Sequence, residues 1–375
     1  MHILIAPNAF KNSLDAGSVA TAISEGLQES RLVCTAECFP IGDGGDGTGA
    51  LFAKHLGGKR VSVMAHDAIG RPIQSSFWLI DNDQTAVIEL ADTSGLRQLE
   101  PGEYDPLYTT TKGTGEMIKL ALDLNVKKII LTIGGSATVD GGTGILEVLG
   151  ILFLDGKKKP VDLPNGLAWL SQIDLSGLDP RIMHIDMILL CDVENPLLGA
   201  IGAATVFGPQ KGARDHNIPV LESMLSRFRE VSLELTGKDM ATIKYGGAAG
   251  GVAAGLGVFL NAKLVSGIEY FLDHTGFEKS LDKANLLITA EGSLDHQTTA
   301  GKGPMGTAKR AKLKGIPVIG FAGKVPLEQD PELSTYFDVV LPIGHEPMEL
   351  STAMKTTAIN LSRTAKAVGN LLSLI

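Results

Sequence analysis

The stretch Ile129-Ile130-Leu131-Thr132-Ile133-Gly134-Gly135-Ser136-Ala137-Thr138-Val139-Asp140-Gly141-Gly142-Thr143-Gly144 decides the fold class. Its apolar, β-branched opening reads as a buried strand. A loop of small residues with one carboxylate follows, and the pattern Ile145-Leu146-Glu147-Val148-Leu149 then reads as helix. Strand, glycine-rich loop and helix in succession are the unit of an α/β protein. Such a turn also exposes backbone N–H groups at a helix N-terminus, which suits a phosphate. One loop of this kind is common, but this chain has several.

Composition narrows the class. The chain has 375 residues, 44% hydrophobic and 20% charged, ordinary values for a globular protein of about two or three domains. Glycine is not ordinary, at 45 residues, and the excess gathers at the ends of apolar runs, where functional loops belong. A net charge of −9 argues against a nucleic-acid footprint. An anionic substrate would therefore need local positive groups. Cys34, Cys38 and Cys191 form neither a disulfide framework nor a four-ligand zinc set. The N-terminal run lacks a signal-peptide pattern, and the most apolar window, 248–260, is too short to span a membrane. A cytoplasmic protein is expected.

The first and last portions share one rhythm. Strands are expected at 2–6, 37–41, 286–290, 317–322 and 338–343, joined by helices, with Ser13 or Asp15 capping the first helix. Five such runs suit one flavodoxin-like, doubly wound parallel sheet of order 2-1-3-4-5. Residues 1–59 and 241–375 would form this discontinuous domain. Residues 60–240 would form an inserted α/β domain, beginning with meandering strands near 63–65, 76–80 and 86–90. A single small-residue helix is expected over 248–260.

Acids and lysines lie among glycines at the carboxyl ends of these strands, where open α/β sheets bind ligands. They suggest a site for phosphate, magnesium and a small polar substrate. Two patterns mislead. Gly42-x-Gly44-x-x-Gly47 satisfies the dinucleotide fingerprint, but Asp43 and Asp46 inside it would repel a bare pyrophosphate. Gly301-x-Gly303-x-x-Gly306 also matches, without a strand just before it. There is no Gly-x-x-x-x-Gly-Lys-[Ser/Thr] loop and no protein-kinase signature set. Asp192 and Asp295 follow apolar strands, with Asn195 and Gln297 nearby, and stand out as functional carboxylates. Glu89 reads as a strand-end acid.

Six ordered blocks then carry a resemblance. They are Ala6-Pro7-Asn8-Ala9-Phe10-Lys11, Gly42-Asp43-Gly44-Gly45-Asp46-Gly47-Thr48, Gly134 through Gly142, Cys191-Asp192-Val193-Glu194-Asn195-Pro196-Leu197, Phe207-Gly208-Pro209-Gln210-Lys211-Gly212 and Glu291-Gly292-Ser293-Leu294-Asp295-x-Gln297-Thr298. Together they resemble the bacterial glycerate kinase family, over nearly the whole chain. That family usually has Asp-Ser at Asn8-Ala9, Glu at Asp46, Asn at Val139, Gly at Ala290 and often Arg at Ser293. The lost carboxylate at position 8 and the lost amide at 139 bear on substrate affinity or choice more than on reaction class.

The resemblance implies phosphorylation of D-glycerate at its 2-hydroxyl by ATP with Mg²⁺, in a cleft between two domains. Glycine loops, lysines and metal-holding acids are the parts that phosphoryl transfer needs. Catalytic roles are expected for Asp192 as base, Asp295 as magnesium- or substrate-orienting acid, and Lys11 and Lys211 as positive charge. Asp43 and Asp46 are metal candidates. Ser13, Gly44, Gly45, Gly134, Gly135, Ser136, Asp140, Asn195, Glu291 and Gln297 are expected to bind substrate or nucleotide. The protein would act as monomer or homodimer, without nucleic acid or membrane. Rival readings are a kinase of another small hydroxy acid, a kinase forming 3-phosphoglycerate, a non-catalytic binding protein and a nicotinamide enzyme.

Overall fold

The computed structural model describes residues 1–294, 303–327 and 331–374. Its strands in chain order are β1 (His2–Ile5), β2 (Thr35–Cys38), β3 (Lys59–His66), β4 (Pro72–Ile80), β5 (Thr85–Glu89), β6 (Lys128–Thr132), β7 (Leu152–Leu154), β8 (Gln172–Asp174), β9 (Asp186–Cys191), β10 (Lys263–Ser266), β11 (Leu286–Ser293), β12 (Val318–Lys324) and β13 (Val339–Pro342). They fall into two compact units, Met1–Asp43 with Ile268–Ile375, and Gly44–Gly267.

The first unit holds an all-parallel sheet of order β2-β1-β11-β12-β13. Renumbered within the unit, this is the 2-1-3-4-5 order expected of a flavodoxin-like sheet. Ile3 pairs with Leu286 and Ile5 with Ile288, although about 280 residues separate them. Ile3, Leu4, Ile5, Leu287 and Ile288 are all buried, so both faces of the sheet are covered. A parallel sheet with two covered faces needs continuous apolar runs, and that is why these strands lack alternation. On one face lie the helices Ala16–Gln28 and Thr357–Leu372. Asp15 caps the first of them, accepting from the Ser18 N–H at 3.0 Å.

The second unit holds a six-stranded sheet of order β10-β9-β6-β5-β4-β3. Four strands run parallel, and the antiparallel hairpin β3–β4 completes one edge. Strands β7 and β8 form a separate two-stranded ribbon. Ile129 and Leu131 of β6 pack with Met117 and Ile118 of the helix Lys112–Asp123 in one large core. The contacts place residues 44–59 in this unit, because the helix Thr48–Leu56 packs on β4 and β5 and buries Phe52. Residues 241–267 join it through the helix Val252–Phe259 and β10.

The expected helix over 248–260 is broken. Ala249 and Gly250 take positive φ, a 3₁₀ turn spans Ala248–Gly251, and the α-helix begins at Val252. Tertiary contact overrides propensity here, since the Gly250 carbonyl accepts from the Gly141 N–H at 3.0 Å. Among the described residues, no helix is long and apolar enough to cross a membrane.

The helix pair of the first unit depends on Gly26. A Cβ there would overlap the carbonyl oxygen of Ser362 on the facing helix. Gly26→Ala is expected to lower unfolding free energy by about 1–3 kcal/mol, as overpacking does, in urea melts. An unchanged midpoint would refute this account of the crossing.

Candidate active-site loops

Each unit gathers candidate site residues at the carboxyl ends of its parallel strands. In the first unit, the Asn8 N–H continues the ladder by donating to the Ala290 carbonyl at 2.8 Å. Asn8 is buried, and its Nδ2 donates to Oδ2 of buried Asp43 at 2.7 Å. A buried carboxylate needs such a donor, and the neutral amide adds no like charge beside it. Phe10 and Leu14 then exchange backbone hydrogen bonds, with Asn12 at positive φ. That tight turn puts exposed Lys11 near its tip. The hydroxyl of Ser13 donates to the Met354 carbonyl at 2.7 Å. Glu291 is buried in the last part of β11. Lys11, Ser13 and Glu291 all line one pocket of about 380 Å³ over these strand ends. Asp295 and Gln297 lie outside the described residues.

In the second unit, two glycine loops lie backbone against backbone. The Gly134 N–H donates to the Gly44 carbonyl at 3.0 Å, and a Cβ on Gly134 would sit 2.6 Å from Gly45 Cα. Gly44 has φ +97° and lies equally close to β9, where a Cβ would be 2.8 Å from the Leu190 carbonyl oxygen. These glycines permit close approach of main chains. Asp46 is exposed, with its carboxylate against Gly135.

Buried carboxylates anchor both loops. Glu89, at the end of β5, accepts from the N–H groups of Gly47 at 2.9 Å and Gly49 at 2.7 Å. It thereby occupies the N-terminus of the helix Thr48–Leu56, where a carboxylate is electrostatically favoured. Asp140 is completely buried and accepts from the Thr111 N–H and hydroxyl, at 2.9 and 2.7 Å. It also accepts from the Gly142 N–H at 3.0 Å. Burial raises the Asp140 pKa, and the hydrogen bonds from Thr111, Gly142 and Gly144 oppose that rise. Asp140 thus anchors the loop internally.

Lys211 is the third anchor. It sits in a 3₁₀ turn, Pro209–Lys211, only 2% exposed. Its Nζ donates to Ser136 Oγ and to the Thr138 carbonyl, both at 2.7 Å. Burial pushes its pKa down to about 7, against the charges of Asp140 and Asp192. Asp192 is half-buried, directly after β9, and is electrostatically coupled to this lysine. Asn195 closes the next loop, its Nδ2 donating to the Ile201 carbonyl at 2.8 Å.

The structure therefore brings Gly44, Gly45, Gly134, Gly135 and Asp46 together, and Ser136, Asp140, Asp192 and Lys211 together. It brings Asn8 and Asp43 together in the other unit. Sequence reasoning missed Thr111 and the anchoring role of Glu89. It also missed Arg97, which pairs with Asp92 and lies 3.3 Å from Glu89. Burial, with Glu89 alongside, pushes Asp92 up to about 6, and Arg97 opposes the rise. Pairing of β5 with β6 and packing of the helix Thr48–Leu56 on β5 bring Glu89 to the glycine loops, and its strand-end position alone does not tell that role.

Known proteins match along the whole length. The family model described as the glycerate kinase family matches residues 3–373. A protein of Haemophilus influenzae named glycerate kinase is 40% identical over 374 residues, covering 100% of this chain and 99% of its own. One of Escherichia coli named glycerate 2-kinase is 37% identical, covering 100% and 98%. A crystal structure assigned as glycerate kinase 2 of Salmonella typhimurium matches with TM-score 0.82 and 39% identity, covering 100% and 98%.

The Lys211 anchor predicts a pH dependence. Below about pH 7 the lysine is charged in both folded and unfolded chains, and its burial cost is full. Between about 7 and its ordinary 10.5, the unfolded chain holds a proton that the folded chain has shed. Its cost is therefore relieved as pH rises. Relative to Lys211→Met, the wild-type protein should gain stability from pH 7 to 10 in urea titrations. A stability difference that stays constant with pH would contradict this.

Proposed function

This chain belongs to the glycerate kinase family, and on that premise we propose that it transfers the γ-phosphoryl group of ATP to the 2-hydroxyl of D-glycerate. The full-length likeness to a relative named glycerate 2-kinase supports the acceptor position. The observation that carries the chemistry is Asp192. A carboxylate on a rigid strand end, half-buried and coupled to Lys211, can accept the proton of a substrate hydroxyl.

In this reading Asp192 takes the hydroxyl proton as the oxygen attacks the γ-phosphorus. The bond to the β–γ bridging oxygen breaks, and ADP leaves. Lys11 supplies positive charge to the phosphates in a chain whose net charge is −9. Lys211 acts by fixing the loop that carries Ser136 and Thr138, because its ammonium is spent inside that loop. Asp295 keeps a magnesium- or substrate-orienting role.

Magnesium suits the acids present. Asp43 and Asp46 offer hard carboxylate oxygens, the donor type that magnesium prefers. Magnesium is commonly held by one or two carboxylates together with substrate phosphates, and Asp43 or Asp46 would serve as such a carboxylate. When bound, it neutralises charge on the transferring phosphoryl group. A reaction in the cytoplasm, where ATP is supplied, fits three cysteines that form no disulfide.

ADP release that depends on D-glycerate, followed in a coupled assay, tests the reading. Asp192→Asn should lower kcat by about 10²–10⁴ while ATP still binds. Wild-type kcat in that variant would remove Asp192 from the base role. Lys11→Ala should weaken ATP use, and an unchanged KM for ATP would exclude the role of Lys11.

A further inference from the structure

The 380 Å³ pocket of the first unit has a large apolar recess among its lining residues. Phe10, Ile343, Leu350 and Met354 supply apolar wall, beside the polar side chains of Ser13, Glu291 and Asn360. D-glycerate carries a polar group on every carbon and gains nothing from such walls. A planar heteroaromatic base gains from them on both faces. Two exposed lysines, Lys11 and Lys324, stand among the lining residues. Cationic side chains beside an apolar recess match a ligand with a flat apolar head and an anionic tail.

The frame is built for it. The lining comes from the carboxyl ends of β11 and β12, the loops after β1 and β13, the helix Leu350–Lys355 and the first turn of the helix Thr357–Leu372, at the edge of an open parallel sheet that receives ligands. The volume lies within the usual range of small-molecule sites. Ser13 ties the loop after β1 to the Met354 carbonyl, so one wall is fixed to the next.

We propose that this pocket is the nucleotide-base subsite, holding the purine of ATP between Phe10 and Met354 with Lys11 and Lys324 meeting the phosphates. This rests on the kinase reading for the identity of the nucleotide. It assigns the base to the first unit alone.

Two experiments test it. Met354→Trp fills the recess, and should weaken ATP binding about tenfold or more by calorimetry while tripolyphosphate affinity stays within about threefold. Photolabelling of the wild-type protein with 8-azido-ATP avoids any question of variant folding. The label should fall within residues 9–13 or 343–360, and excess ATP should suppress it. ATP affinity within twofold of wild type in Met354→Trp, or a label on other residues, would overturn the proposal. Turnover of D-glycerate with the label elsewhere would defeat the subsite and spare the kinase reading. A label in the pocket without phosphoglycerate formation would do the reverse.

Discussion

The hydrogen bond from the Gly134 N–H to the Gly44 carbonyl sets the geometry of the second unit's functional edge. It can form only because neither residue has a side chain, and a Cβ on either would meet backbone below 3 Å. Two loops that follow different strands are thereby held main chain to main chain. Nearby, Ser136 is held by Lys211, Asp140 by Thr111 and Gly142, and Asp192 by its place directly after β9.

Backbone contact alone would leave polar groups buried without partners, at about 1–3 kcal/mol each. Glu89, Asp140 and Lys211 meet that need from three directions. Glu89 and Asp140 accept from the N–H groups of Gly47, Gly49 and Gly142, and Lys211 donates to Ser136 and Thr138. The helix N-termini that a glycine-rich turn offers to phosphate are therefore largely filled by the protein's own carboxylates. That makes the loops rigid. Preorganised charge of this kind is what phosphoryl transfer requires, since positioning and electrostatics supply most of its rate.

Much of this was legible in the sequence, for physical reasons. The runs 2–6 and 286–290 lack alternation because both faces of their sheet are buried, and that signal identifies a parallel strand. Asp15 was legible as a cap because capping is local. Glu89, Thr111 and the internal use of Asp140 and Lys211 were not legible, because each depends on partners 29 to 75 residues away. Residues 44–59 were assigned to the first unit because their strand–loop–helix pattern is the same in either. Packing of Phe52 in the second unit decides the matter, and periodicity carries no trace of it. The break at Ala249 and Gly250 was hidden for the same reason, since small residues promise helix until another backbone approaches.

The central claim is transfer of a phosphoryl group to one hydroxyl of one small acid. Phosphorus NMR of the products formed from ATP, Mg²⁺ and D-glycerate measures that directly. The account predicts ADP and 2-phosphoglycerate, with the phosphorus coupled to the single proton on C2. A signal coupled to the two protons on C3 would contradict the acceptor position, and no phosphoglycerate signal at all would contradict the reaction.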